Sequence, residues 1–215
     1  MAITAPPVAR TRVKICGLTN VEDALAACYA GADAIGLVFF PPSPRNVSLA
    51  AAAEIAASIP AFVTKTALFV DPDAELVRRV LQKVDIDLLQ FHGDESAEFC
   101  ESFDRPYIKA VAMQETTELA ELASRYASAS GLLLDTYKPG VPGGTGESFN
   151  WQWARPPHPV PIILAGGLTA ENVADAIRIV SPWAVDVSGG VELCKGKKSA
   201  EKIQKFIKNA TSRVE

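Results

Sequence analysis

Eight short apolar runs alternate with helix-like stretches from residue 12 to the end of this 215-residue chain. The runs occupy 13–17, 34–39, 66–70, 88–92, 107–112, 131–135, 162–165 and 184–188. Helix patterns fill 21–30, 49–58, 73–83, 96–102, 115–127, 170–179 and 199–209, with a weak one near Trp151. The repeat is roughly 27 residues, one strand plus one helix, and eight such units predict an α/β fold, the (β/α)8 TIM barrel, somewhat under its typical ~250 residues. An open doubly wound sheet is the other architecture this alternation allows. A hydrophobic content of 48 % suffices for one large core. No linker interrupts the pattern, so 12–215 reads as a single barrel domain. Residues 1–11 read as a frayed tail, with Pro6 and Pro7 opposing regular structure.

The chain also echoes itself. In KICGLTNVEDALAACYAGADAIGL and LAGGLTAENVADAIRIVSPWAVDV, a strand runs into Gly-Leu-Thr, then an alanine-rich helix, then the next strand. Thr19 or Asn20 is placed to cap the first helix, and Thr169 with Glu171 repeats the pattern before the seventh. Asp94 is placed to cap the helix after HGDE. The longest irregular stretch, TYKPGVPGGTGES (136–148), is too rich in Gly and Pro for helix or strand. It reads as a binding loop.

Strand side chains alternate between faces. If Val13, Ile15, Leu89, Phe91, Leu132, Leu134, Val185 and Val187 meet the helices, then Lys14, Cys16, Gln90, His92, Asp135, Asp186 and Ser188 point inward. Several of these sit near the C-terminal ends of strands, where barrel enzymes hold their chemistry. Each has a plain alternative: a cysteine is often a small buried hydrophobe, and Asp135 could cap a turn. Lys14, Lys65 and Lys109 read as core ion-pair partners, and Trp151 and Trp153 as packing residues.

LAGGLT (164–169) and DVSGGVE (186–192) close the seventh and eighth strands with paired glycines. Glycine lets backbone N–H groups approach an anion, and in barrels these two loops often bind phosphate. Gly166, Gly167, Ser188, Gly189 and Gly190 are therefore the phosphate candidates. Arg45, in the proline-stiffened FFPPSPRN, is a natural partner for a carboxylate. A net charge of −4 and a pI near 5.3 argue against a general nucleic-acid or membrane-surface binder. No apolar run is long enough to span a bilayer, and the first residues lack the pattern of a signal peptide. These features predict a cytoplasmic protein with its four cysteines as free thiols.

VKICGLT, GLVFFPPSPRNVS, LLQFHGDE, LLLDTYKPGVPGGTGESFNW, LAGGLTAENV and DVSGGVE, in this order and spacing, resemble the phosphoribosylanthranilate isomerase family of tryptophan biosynthesis from about residue 12 to 209. The resemblance implies an intramolecular oxidoreductase carrying out an Amadori rearrangement. Its substrate, N-(5-phosphoribosyl)anthranilate, becomes 1-(2-carboxyphenylamino)-1-deoxyribulose 5-phosphate. It implies Cys16 as general base and Asp135 as general acid. Arg45 would hold the anthranilate carboxylate, Asp186 would orient the amine, and Gln90 and His92 would line the pocket. No metal or cofactor is implied, and the assembly would be a monomer or homodimer. For these roles the Asp135 pKa should lie above ~3.9 and the Cys16 pKa below ~8.5, the latter aided by the helix start that follows. The chain departs from the family pattern at Gly189, where a second serine is usual, and at CKGKK (194–198), which replaces a Pro-Gly turn. Lys195, Lys197 or Lys198 would then add positive potential at the phosphate end. Two related barrels fit less well: indole-glycerol-phosphate synthase needs a lysine and glutamate set not found here, and the histidine-pathway isomerase uses two aspartates. A catalytically silent phosphate-binding barrel would need neither Cys16 nor Asp135.

Overall fold

In the computed structural model, which describes residues 10–137 and 148–212, the eight apolar runs form β1 (Arg12–Cys16), β2 (Ala34–Val38), β3 (Thr64–Phe69), β4 (Leu88–Phe91), β5 (Tyr107–Met113), β6 (Gly131–Thr136), β7 (Ile162–Leu164) and β8 (Ala184–Val187). All pair in parallel in chain order, and β8 returns to pair with β1, matching Lys14 to Asp186 and Ile15 to Val187. That closure makes a barrel and excludes the open sheet. The connections are α1 (Val21–Tyr29), α2 (Leu49–Ser58), α3 (Ala74–Lys83), α4 (Ala97–Glu101), α5 (Leu119–Arg125), α6 (Val173–Val180) and α7 (Ala200–Thr211). Where the weak sixth helix was expected there is a four-residue 3-10 turn, Trp151–Ala154, whose two tryptophans pack partly buried against the core. A short hairpin that the sequence did not suggest, β9 (Glu192–Cys194) with β10 (Lys197–Lys198), follows β8. No described helix is long and apolar enough to cross a membrane.

Local chemistry sets the helix starts. Asn20 caps α1 by accepting from Asp23 N–H, and Ser96, not Asp94, caps α4. The Asp94 N–H instead donates to Asp71. Helix α6 begins later than expected because Thr169 Oγ1 accepts from Glu171 N–H and Asn172 Oδ1 accepts from Thr169 N–H, holding a turn before Val173. Arg10, in the stretch expected to fray, donates two hydrogen bonds to Asp33.

The alternation of faces is as read from the sequence. Val13, Ile15, Leu89, Phe91, Leu132, Leu134, Val185 and Val187 join the helices in the main core. Inside the barrel, Ile108, Ala110, Leu133, Ile163, Ala165 and Ala184 form one layer, and Cys16, Val38 and Leu68 another. Of the three lysines, only Lys14 is an interior ion-pair partner. Lys65 shares the outward parity of Ala67 and Phe69 and pairs with Asp85. Lys109, also outward but buried, reaches Glu95 at 3.3 Å. Phe91, fully buried, stacks with Phe69 and meets Phe99, Phe103 and Tyr107. Phe91→Ala will cost about 3–5 kcal/mol, read from the shift of the urea-unfolding midpoint.

Candidate active site

The C-terminal ends of the strands bring most of the sequence-chosen residues to one mouth. A cleft of about 1020 Å³ opens there over β3 to β6, lined by Phe40, Val70, His92, Asp135, Thr136 and Tyr137 among others. Phe40 and Val70 also pack on the cluster that holds Cys16, which is itself only 4 % exposed.

Asp135 is the penultimate residue of β6, with its side chain inward. Its Oδ1 accepts from Thr136 N–H at 2.7 Å, and its Oδ2 is 3.1 Å from His92 Nε2. Behind His92, Gln90 Nε2 lies 2.9 Å from His92 Nδ1. Gln90 is fully buried, so it is not a wall of the cleft as the pocket-lining reading supposed.

Cys16 ends β1 opposite Gly36 of β2. A Cβ at Gly36 would sit 2.7 Å from Cys16 Sγ and 3.2 Å from Lys14 Cε, so the missing side chain makes room for both. Lys14 Nζ is 2.8 Å from Asp186 Oδ1 in a buried pair. Thiol, ammonium and carboxylate therefore share one corner. Burial pushes the Cys16 thiol above its ordinary value; Lys14 opposes this and Asp186 adds to it. That corrects the expected lowering. Burial is the largest influence on the thiol and outweighs the nearby Lys14 ammonium. Burial lifts Cys100 to about 12 as well. Exposed Cys194 should accordingly react first with iodoacetamide at pH ~7, ahead of Cys16 and Cys100, as peptide mapping of the labelled protein would show.

Arg45 does not stand free. Its stem crosses Gly17, where a Cβ would lie 2.5 Å from Arg45 Cδ and 3.0 Å from Ser188 Oγ. Its Nε and Nη2 donate to the two oxygens of Glu192 at 2.7 and 2.8 Å. Burial alone would raise the Glu192 carboxyl, but Arg45 and Lys198 hold it below its ordinary value. Lys198, with its side chain wholly buried, donates to Glu192 Oε1 at 2.9 Å, to Ser188 O at 3.1 Å and to Ser188 Oγ at 3.3 Å. Lys198 is thus spent on these partners, and Lys195 and Lys197 are exposed on the hairpin. Glu192 is a site residue the sequence reading quoted, in DVSGGVE, without giving it a role. Its only signal was its fixed place after the paired glycines.

The two glycine turns meet. Gly166 has a φ of +79° and lies against Thr136, so close that a Cβ would be 2.8 Å from Thr136 N. Gly190 packs on the Leu168 carbonyl, joining the loop after β8 to the loop after β7. Among the described residues, no backbone acceptor takes the N–H of Gly166 or Gly167. Ser188 and Gly189 stand beside Arg45. Most of the expected binding loop, 138–147, lies outside the described residues.

Comparison with known proteins gives one answer along the whole barrel. A family model described as N-(5'phosphoribosyl)anthranilate (PRA) isomerase matches residues 13–209. A relative from Alcanivorax borkumensis named N-(5'-phosphoribosyl)anthranilate isomerase is 54 % identical over 209 residues, covering 94 % of this chain and 96 % of its own. The crystal structure of phosphoribosyl anthranilate isomerase from Thermotoga maritima superposes with a TM-score of 0.85 at 41 % identity, covering 93 % of this chain and 98 % of that one. The crystal structure of a phosphoribosyl anthranilate isomerase in complex with reduced 1-(o-carboxyphenylamino)-1-deoxyribulose 5-phosphate superposes with a TM-score of 0.80 at 39 % identity, covering 93 % of this chain and 98 % of that one. A closed barrel carrying an inward cysteine on β1 and an inward aspartate on β6, matched in sequence over nearly its full length, belongs to the phosphoribosylanthranilate isomerase family.

Proposed function

We propose that this chain isomerises N-(5-phosphoribosyl)anthranilate to 1-(2-carboxyphenylamino)-1-deoxyribulose 5-phosphate in tryptophan biosynthesis, an aldose–ketose interconversion within one molecule. The observation that carries the reading is the pair of inward groups, Cys16 on β1 and Asp135 on β6, at one barrel mouth beside two joined glycine turns. Gly166, Gly167, Ser188, Gly189 and Gly190 receive the phosphate through backbone donors and the Ser188 hydroxyl. A guanidinium has five N–H donors, and Glu192 takes two of Arg45's; the remaining three are available to the anthranilate carboxylate.

Asp135 gives its proton to the furanose ring oxygen. The C1–O bond breaks, and the anilino nitrogen lone pair forms an iminium with C1. The iminium draws electrons from C2, and Cys16, as thiolate, removes the C2 proton. The resulting enolamine loses its enol proton and gains one at C1, giving the ketone. The proton now on Cys16 returns to solvent, and Asp135 takes one up, so the cycle closes without net proton change. Asp186 orients the substrate amine, a role its pairing with Lys14 in the same corner as the thiol supports.

The test is the loss of substrate fluorescence when the purified protein meets N-(5-phosphoribosyl)anthranilate made in situ. Turnover with formation of the ketose is expected; no turnover at micromolar protein would sink the reading.

A further inference from the structure

Gln90 and His92 stand two residues apart on the inward face of β4 and its end, the first fully buried, the second lining the cleft. Their contacts form one chain: Gln90 Nε2 to His92 Nδ1 at 2.9 Å, then His92 Nε2 to Asp135 Oδ2 at 3.1 Å. Chemistry sets its direction. An amide nitrogen only donates. With the amide in this orientation His92 Nδ1 accepts and bears no proton, the ring's proton sits on Nε2, and Nε2–H donates to Asp135. The other carboxyl oxygen is held by Thr136 N–H at 2.7 Å.

We propose that Gln90 and His92 are positioning residues for Asp135: the Gln90 amide keeps His92 protonated on Nε2 alone, so that the ring cannot take the proton Asp135 must deliver to the substrate. This rests on the acid role of Asp135 given above. A ring with a bare Nε2 would be a base within hydrogen-bond reach of the acid. It would strip that acid to an imidazolium–carboxylate pair with no proton for the ring oxygen. With Nε2 already protonated and Nδ1 blocked by a donor, the ring has no site for the Asp135 proton, and among the described residues its outlet is the cleft.

A second observation bears on Gln90. Its Oε1 is buried without a partner among the described residues, which is costly for an amide. Methionine would fill a similar volume without that cost. What the amide adds over methionine is the N–H aimed at Nδ1. Half a turn of the amide would instead offer Oε1 to a proton on Nδ1 and reverse the chain, so the two orientations make opposite demands on the ring. The neighbouring charges already have partners: Lys109 meets Glu95 and the Gly93 carbonyl, Asp71 accepts from Asp94 N–H, and across the barrel Lys14 holds Asp186 beside Cys16. Asp135 is the carboxylate hydrogen-bonded to the ring.

The chain has only two histidines, His92 and His158, so nitrogen NMR resolves both rings and His92→Asn assigns them. In the wild-type protein near neutral pH, His92 is expected to carry its proton on Nε2 only. In Gln90→Glu, whose carboxylate accepts, both ring nitrogens become protonated, and kcat falls by about tenfold or more with KM changed less than about threefold. Gln90→Met, which keeps the volume and guards against a variant that fails to fold, is expected to mix the two tautomers and lower kcat by a smaller factor. A wild-type His92 proton on Nδ1, or Gln90→Met with tautomer and kcat both unchanged, overturns the proposal. The ring measurement needs no substrate, so an inactive wild type would count against the isomerase reading, while the NMR result would judge the hydrogen-bond chain separately.

Discussion

Asp135→Asn and Cys16→Ala should each lower kcat by roughly 10²–10⁴-fold, the range for removing a general acid or base, with KM changed only a few-fold. The amide introduced by Asp135→Asn would keep the shape of the aspartate and could still accept from Thr136 N–H, but it has no acidic proton for the ring oxygen. Cys16→Ser should be nearly as inactive as Cys16→Ala, because a serine hydroxyl does not ionise in this range. The two variants fail at different points. On the proposed mechanism Asp135→Asn should stall before the sugar ring opens, whereas Cys16→Ala should still open it. A substrate supplied with its ring already open would therefore rescue Asp135→Asn and not Cys16→Ala. Either variant retaining more than about a tenth of the wild-type kcat would remove that residue from the mechanism.

Lys14 and Asp186 should move the pH profile in opposite directions. The thiolate is the charged form of Cys16. Lys14 favours it, so Lys14→Gln moves the rising, thiolate-dependent limb of kcat/KM to higher pH. Asp186 disfavours it, so Asp186→Asn moves the same limb to lower pH, even as the rate itself falls through loss of the substrate contact. The starting limb should already lie to the alkaline side of an ordinary thiol, since burial is the largest influence on Cys16. Stability separates this from simple unfolding. Removing Lys14 leaves Asp186 buried and unpaired, which costs roughly 3–5 kcal/mol, and the double substitution should recover much of it. Shifts of the same sign in both variants would mean that another group sets the limb.

How far the sequence reached depends on the kind of signal. The barrel was legible because strand parity is a local rule: Val13 and Ile15 had to face one way once Lys14 and Cys16 faced the other. The neighbouring places of the two glycine turns followed from the order of the strands. Glu192 was not legible, because its partners Arg45 and Lys198 reach it from another loop and from across the hairpin, and nothing in DVSGGVE says which direction the carboxylate takes. The thiol was misjudged for a related reason. A helix start nearby in sequence was counted, while burial by Val38, Leu68 and their neighbours is a property of the closed barrel alone. Gln90 was read correctly as inward; its depth, and hence its contact with a histidine rather than with a ligand, depended on its level within the barrel.

Glu192 grips Arg45 with both oxygens, and Lys198 ties the same carboxylate to Ser188. The loop after β2, the turn after β8 and the β9–β10 hairpin are therefore fastened to one another. Long side chains such as Arg and Lys lose substantial rotamer entropy when they are fixed. Here that loss occurs during folding, so an incoming dianion meets loops whose freedom has already been spent.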